Sequence, residues 1–234
     1  VESSAREFLQ RLLETPSPSG YEQPIQVHVR EYLAACADSV VTDAHGNVIG
    51  GKNAGGSTRM LLAGHCDQIG LIVQYVDGDG FISVQPIGGW DPIQLVGARV
   101  TIWTASGPVP GVMSRKPIHL LTDEERKVVP KMKDLWIDIG ATDKADCESV
   151  VRVGDCVTLE LKVQELRNGR ACSVAMDDKI GLWVVLEAFR RAVSAGPLPC
   201  GLFVASTVQE EIGLRGAQTS SYGVDPHVAI AVDV

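Results

Sequence analysis

The chain predicts an α/β fold, a mixed sheet flanked by helices, with a small all-β barrel inserted into it. Three features carry that prediction. Apolar runs at residues 59–64, 201–208 and 227–232 read as buried strands of one open sheet, set among segments of helical periodicity. After Gly70 the texture changes to short strands at close spacing, punctuated by Asp77-Gly78, Ser106-Gly107 and Asn168-Gly169, as in small barrels and sandwiches. Helical periodicity returns at Asp178. The order α/β, all-β, α/β assigns residues 1–72 and 165–234 to one domain and 73–164 to the insertion.

Taken in order, Ser4 with Glu7 three residues on is a capping-box pattern, and Phe8, Leu9, Leu12 and Leu13 form the apolar stripe of a first helix. Thr15-Pro16-Ser17-Pro18-Ser19-Gly20 ends it, because proline cannot continue a helix. A second helix is expected over 22–36, then a hairpin of 39–43 and 48–51 turning at Ala44-His45-Gly46-Asn47. In the insertion, 71–76 and 81–87 make a hairpin around Asp77-Gly78-Asp79-Gly80, followed by strands near 99–104, 109–113, 135–139 and 156–163. A helix over 178–194 places Ile180, Val184, Val185, Ala188 and Phe189 on one side. A strand at 201–208, a helical or irregular segment near 212–221 and a strand at 227–232 complete the pattern.

The 234 residues suffice for one large domain or two modest ones. With 21 Lys and Arg against 29 Asp and Glu, the net charge is −8, and there is no basic block, which argues against nucleic acid. No apolar stretch reaches the ~18 residues of a membrane span, and the first residues are acidic where a signal peptide is basic. A soluble cytoplasmic protein is expected. Six cysteines without a C-x-x-C pair read as reduced thiols, mostly packed as small apolar residues.

Four segments carry metal-type ligands. His65-Cys66-Asp67 places an imidazole and a carboxylate on one side of an extended chain, with Cys66 pointing the other way. The pair suits a metal-ligand histidine oriented by a carboxylate, and equally a core histidine capped by its neighbour. Asp177-Asp178 opens a helix, where acid also complements the helix dipole. Glu210-Glu211 follows a core strand, so burial raises both pKa values; a cation would relieve one and leave the other as a base. Asp233 closes the last strand. Singly, each has an ordinary structural explanation. Jointly, they sit where an open α/β sheet gathers a site at its carboxyl edge, with oxygen and nitrogen donors suited to Zn, Co or Mn.

Ala63-Gly64-His65-Cys66-Asp67-Gln68-Ile69-Gly70, Gly88-Gly89-Trp90-Asp91-Pro92, Ser114-Arg115-Lys116-Pro117-Ile118-His119-Leu120, Asp134-Leu135-Trp136-Ile137-Asp138-Ile139-Gly140, Asp177-Asp178-Lys179-Ile180-Gly181 and Gln209-Glu210-Glu211-Ile212-Gly213 form a specific set. Through them the chain resembles, over nearly its full length, the M42 family of metallo-aminopeptidases, which belongs with the M20 and M28 zinc peptidases. The resemblance implies a zinc-peptidase-like sheet and two divalent ions, Zn or Co with Mn possible. It implies that His65 and Asp233 bind one ion, Glu211 the other, and Asp177 bridges both; Asp67 orients His65 and Glu210 is the general base. A cis peptide between Asp177 and Asp178 belongs to the same pattern. The implied reaction is hydrolysis of the N-terminal peptide bond of short peptides by a two-metal-activated water. Homo-oligomers from dimer to dodecamer would assemble through the β domain.

The family pattern also requires a final histidine and closing elements downstream of Asp233, so the C-terminal part of the peptidase domain is expected to be missing from this chain. Of His28, His45, His119 and His227, only His119, in the Lys-Pro-Ile-His loop, is a candidate to approach a site and contact substrate. Two alternatives accompany the aminopeptidase reading: a catalytically incomplete homologue keeping assembly surfaces and at most one metal, or a related carboxypeptidase or deacylase.

Overall fold

The computed structural model describes residues 2–234. Helices α1 (Ser3–Glu14) and α2 (Gln23–Ala34) lead into strands β1 (Ser39–Thr42), β2 (Val48–Lys52) and β3 (Arg59–His65). Short strands follow: β4 (Gly70–Val76), β5 (Ile82–Ile87), β6 (Arg99–Thr104), β7 (Gly107–Arg115) and β8 (Leu135–Asp138). Helix α3 (Lys144–Val150) precedes β9 (Cys156–Leu159), and β10 (Gln164–Leu166) with β11 (Arg170–Cys172) makes a small hairpin. Helix α4 (Met176–Ser194), β12 (Gly201–Thr207), α5 (Arg215–Val224) and β13 (Val228–Ala231) complete the chain. It divides into two compact units, Val1–Gln68 with Leu161–Val234, and Ile69–Glu160. No described helix is long and apolar enough to cross a membrane.

The first unit is built on a five-stranded mixed sheet of order β1-β2-β12-β3-β13. Strands β12 and β13 both run parallel to β3, pairing His65 with Thr207 and Ala63 with Ala231. The carboxyl ends of all three therefore open at one edge. On one face, Phe8, Leu12, Ile25, Val29, Leu33, Val185, Leu186 and Phe189 bring α1, α2 and α4 onto the sheet residues Val48, Leu202 and Val204. On the other, Ile49, Leu61 and Ala205 pack with Val224 of α5. The second unit is a closed barrel of order β4-β5-β8-β7-β6-β9 around Leu71, Val73, Ile82, Val100, Ile102, Met113, Ile137 and Val157.

Local chemistry accounts for most boundaries. The turn between β1 and β2 is held by Asp43 Oδ1, which accepts from the backbone N–H groups of His45, Gly46 and Asn47. Asp77 Oδ1 accepts from Asp79 and Phe81 in the β4–β5 hairpin.

Three sequence expectations are corrected, and one helix is added. The Ser4 capping box does not form; α1 starts at Ser3, whose hydroxyl donates to Glu7 Oε1 at 3.1 Å one turn on. Helix α3 escaped the apolar pattern because Cys147 is its only buried residue; Asp143 caps it by accepting from Asp146 N. In α4 Val184 is exposed, as is Ala188, and the buried stripe carries Leu182, Val185, Leu186 and Phe189. The helix backbone comes so close to β3 that a Cβ on Gly64 would lie 2.8 Å from Leu182 N and Cα, which puts Leu182 at the centre of the contact. The strand expected to be buried at 227–232 is an exposed edge, with Val228 at 46% and Ile230 at 48% exposure, because β13 pairs on one side only.

Candidate metal centre

The site grows from the end of β3. Strand alternation sends Cys66 into the core beside Leu182 and Val204, while His65 and Asp67, both buried, turn to the sheet edge. His65 Nδ1 lies 2.9 Å from the backbone oxygen of Asp67. That carbonyl can only accept, so Nδ1 carries the proton and the Nε2 lone pair faces outward in the neutral ring.

Asp67 is fully buried, and its carboxylate is surrounded by donors. Ser19 Oγ donates to Oδ2 at 2.6 Å, Glu210 N to Oδ1 at 3.0 Å and Glu211 N to Oδ2 at 3.2 Å. Burial alone would raise its pKa; the His65 ring, the Ser19 hydroxyl and the Glu210 amide reverse this and hold it below the ordinary carboxylate value. One side chain thereby ties the Thr15–Gly20 segment and the Glu210-Glu211 turn to His65.

Three further carboxylates approach His65 Nε2: Asp177 Oδ1 at 3.2 Å, Asp233 Oδ1 at 3.6 Å and Glu210 Oε2 at 3.8 Å. The structure thus gathers His65, Asp67, Asp177, Glu210 and Asp233 at one edge. Glu211 joins them electrostatically: burial, then the Asp177 charge, pushes its carboxyl up to about 7. Glu210 is raised as well, by burial first, with Asp233, Asp67 and Asp177 adding and His65 opposing. Burial pushes the His65 ring down, but Asp67, Asp178 and Glu210 outweigh it and bring it up to about 9.

Asp178 was not among the sequence-derived ligands, yet its carboxylate, with His65 and Asp233, forms the three-donor set whose ligand atoms all lie within 4.8 Å of one another. It is the one such set among the described residues. Its signal was the Asp-Asp pair itself; which member turns inward depends on the chain around the 177–178 peptide, which is cis, as the family resemblance implies. Asp178 is fully buried, Gly181 N donates to its Oδ1 at 3.1 Å, and burial pushes its carboxyl up to about 6. Glycine at 181 leaves room for that carboxylate, since a Cβ would sit 2.1 Å from Asp178 Oδ1 and displace it.

The donor set fits a divalent cation. His65 Nε2 and Asp178 Oδ2 are buried without a hydrogen-bond partner, and acceptors surround them. Lone pairs crowded together at these distances repel unless a proton or a cation lies among them. One nitrogen and several oxygens match Zn, Co or Mn.

Other histidines have other surroundings. His227 Nδ1 accepts from Arg59 N at 3.1 Å, and His28 faces Glu31 on α2. His119 is an exposed residue of a 3-10 turn, Ile118–Leu120, in the barrel unit. Sequence reasoning also passed over Lys179, which in an amphipathic helix reads as solvated but is fully buried, pushed down to about 7 by that burial.

Comparison with known proteins follows the same lines. The family model for M42 glutamyl aminopeptidases matches residues 46–234. A lysyl aminopeptidase of Pyrococcus furiosus is 34% identical over 97% of the chain, which spans 66% of that relative's length. A TET aminopeptidase from a marine sediment archaeon of the Thaumarchaeota superposes with a TM-score of 0.95 at 38% identity, covering 99% of this chain and 66% of that one. The TET1 peptidase of Pyrococcus horikoshii, described as assembling into a tetrahedron or a large octahedral shell, gives 0.88 at 32% identity, covering 98% of this chain and 68% of that one.

Proposed function

The chain belongs to the M42 family of metallopeptidases, and on that premise we propose that it carries a single divalent-metal site, His65–Asp178–Asp233, of an aminopeptidase-type centre. The observation that carries the reading is the one three-donor set found among the described residues. When bound, a divalent ion at such a site supplies Lewis-acid polarisation of a carbonyl and makes water a stronger nucleophile. The protein's own part falls to Glu210 and Asp67. Glu210 stands at the edge of the cluster within reach of His65 Nε2, where a general base would stand, and burial raises its carboxyl above the ordinary value. Asp67 keeps the His65 ring and the Glu210 backbone in fixed relation.

A second reading keeps the two-metal scheme, with Asp177 bridging, Glu211 on the second ion and Glu210 as base in the hydrolysis of N-terminal residues from peptides. It is favoured by Asp177 Oδ1 at 3.2 Å from His65 Nε2 and by the raised Glu211 carboxyl beside Asp177. Short peptides as substrate, self-association through the barrel unit and a cytoplasmic setting belong to both readings; the Pyrococcus horikoshii relative's assembly supports self-association as such.

Metal content after loading with Zn or Co, measured by mass spectrometry on the same sample assayed with amino-acid anilides, separates the two. One ion per chain without turnover is expected. Two ions with turnover would replace the first reading by the second, and turnover of N-blocked substrates alone would remove both.

A further inference from the structure

Lysine is rarely buried whole, because its polar end loses its water. Lys179 is buried to 0% exposure in the first turn of α4, directly after Asp177 and Asp178. Its Nζ donates to the backbone oxygen of Thr15 at 2.7 Å and to Gln68 Oε1 at 2.7 Å. Gln68, itself 2% exposed, follows Asp67 in sequence, and its backbone N–H donates to Ser17 O at 3.0 Å. Ser17 Oγ in turn donates to Cys66 O at 2.7 Å. Three segments meet at this amine: the end of α1, the turn that follows His65, and the start of α4. Two N–H groups suffice for the two bonds, so the link holds whether the amine is charged or neutral.

A methionine would fill much the same volume with no polar group to satisfy. What only the amine adds is the cross-link between the segment presenting His65 and the segment presenting Asp178. We propose that Lys179 is a positioning residue of the metal centre, bracing these two donor segments at their binding separation through Gln68 and Thr15. The inference rests on the one-metal reading above. It makes Gln68 the second half of the brace and leaves the ligands themselves unchanged.

The test uses the full chain and the variants Lys179→Met, Gln68→Leu, the two combined, and Gln68→Glu, which keeps an acceptor for the amine. Two quantities are read: deuterium uptake of peptides spanning 62–69 and 174–182 in metal-free protein, and the Co²⁺ dissociation constant by competition with a chromogenic chelator. Lys179→Met and Gln68→Leu should each raise uptake in both peptides and weaken Co²⁺ binding about 10-fold or more, the usual scale for a partner that orients metal ligands. The combined variant should be no weaker than the worse single one, because both remove one link, and Gln68→Glu should stay near the parent. A lowered melting temperature with unchanged Co²⁺ affinity would reduce Lys179 to a packing residue and overturn the proposal. If Lys179→Met does not fold, Gln68→Leu alone decides. A parent chain that binds no Co²⁺ would sink the metal reading, and uptake in the two peptides would then still decide the brace.

Discussion

Replacing Gly181 by alanine should separate the metal centre from the fold that carries it. An added Cβ would lie 2.1 Å from Asp178 Oδ1 and 2.6 Å from Oδ2, so the carboxylate must retreat by about 0.9 Å to reach 3.0 Å. The same movement breaks the 3.1 Å hydrogen bond from Gly181 N. For the fold the terms nearly cancel: one hydrogen bond lost is about 1 kcal/mol, and alanine in place of helical glycine returns about 1 kcal/mol. For a metal they do not cancel, since displacing a donor and its supporting N–H weakens binding roughly 10- to 100-fold, about 1.4 to 2.7 kcal/mol. Co²⁺ titration and thermal unfolding of the metal-free chain read the two effects separately. Parent-like Co²⁺ affinity in Gly181→Ala would show that Asp178 does not bind the ion.

Glu210→Gln should leave the bound-metal count unchanged and abolish any anilide turnover that the chain or its two-metal form shows; loss of metal would instead make Glu210 a ligand. Gly64→Ala drives a Cβ to 2.8 Å from the Leu182 backbone, which cannot yield as a side chain does, so about 1–3 kcal/mol of stability should be lost; a melting temperature unchanged within a degree would contradict that close approach. Glu187 is a titration test away from the metal. Burial pushes it up, but hydrogen bonds from Arg190, Tyr32 and Arg191 hold its carboxyl below the ordinary 4.5. A depressed acid stabilises the fold above its unfolded pKa and loses that contribution as pH falls through the folded value. Melts from pH 7 to pH 3 should therefore steepen downward below about pH 4.5 in the parent and less so in Glu187→Gln; identical slopes would refute the assignment.

Much of the candidate cluster was legible because its donors stand at strand ends, and strand ends are marked by where an apolar run stops. The proximity of His65, Glu210 and Asp233 could be anticipated that way. Asp178 was not, because two adjacent acids at a helix start look alike in sequence; both come near His65, and only the fold makes Asp178 the buried one. Lys179 was invisible for a related reason: nothing local distinguishes an amine with two buried acceptors from one in solvent, and those acceptors, Thr15 O and Gln68 Oε1, lie far away in sequence. The Ser19 contact with Asp67 has the same long-range character. In the fold, the apolar residues of β13 announced a strand but not its exposure, since an edge position is a property of sheet order.

The parallel pairing of β3 with β12 and β13 gives metal affinity a further meaning. His65 and Asp233 lie at or just past the ends of neighbouring strands, so their separation is set by which residue pairs with which across the ladder. A slip of two residues preserves every inward and outward face, and apolar burial alone discriminates against it weakly. It would nonetheless shift one donor against the other by about 6.6 Å along the strands. An ion that requires both donors therefore binds the correct register alone, and adds its binding free energy to that register. Metal titration during refolding would then count molecules whose sheet has closed correctly, a measure of assembly fidelity that optical probes of secondary structure do not provide.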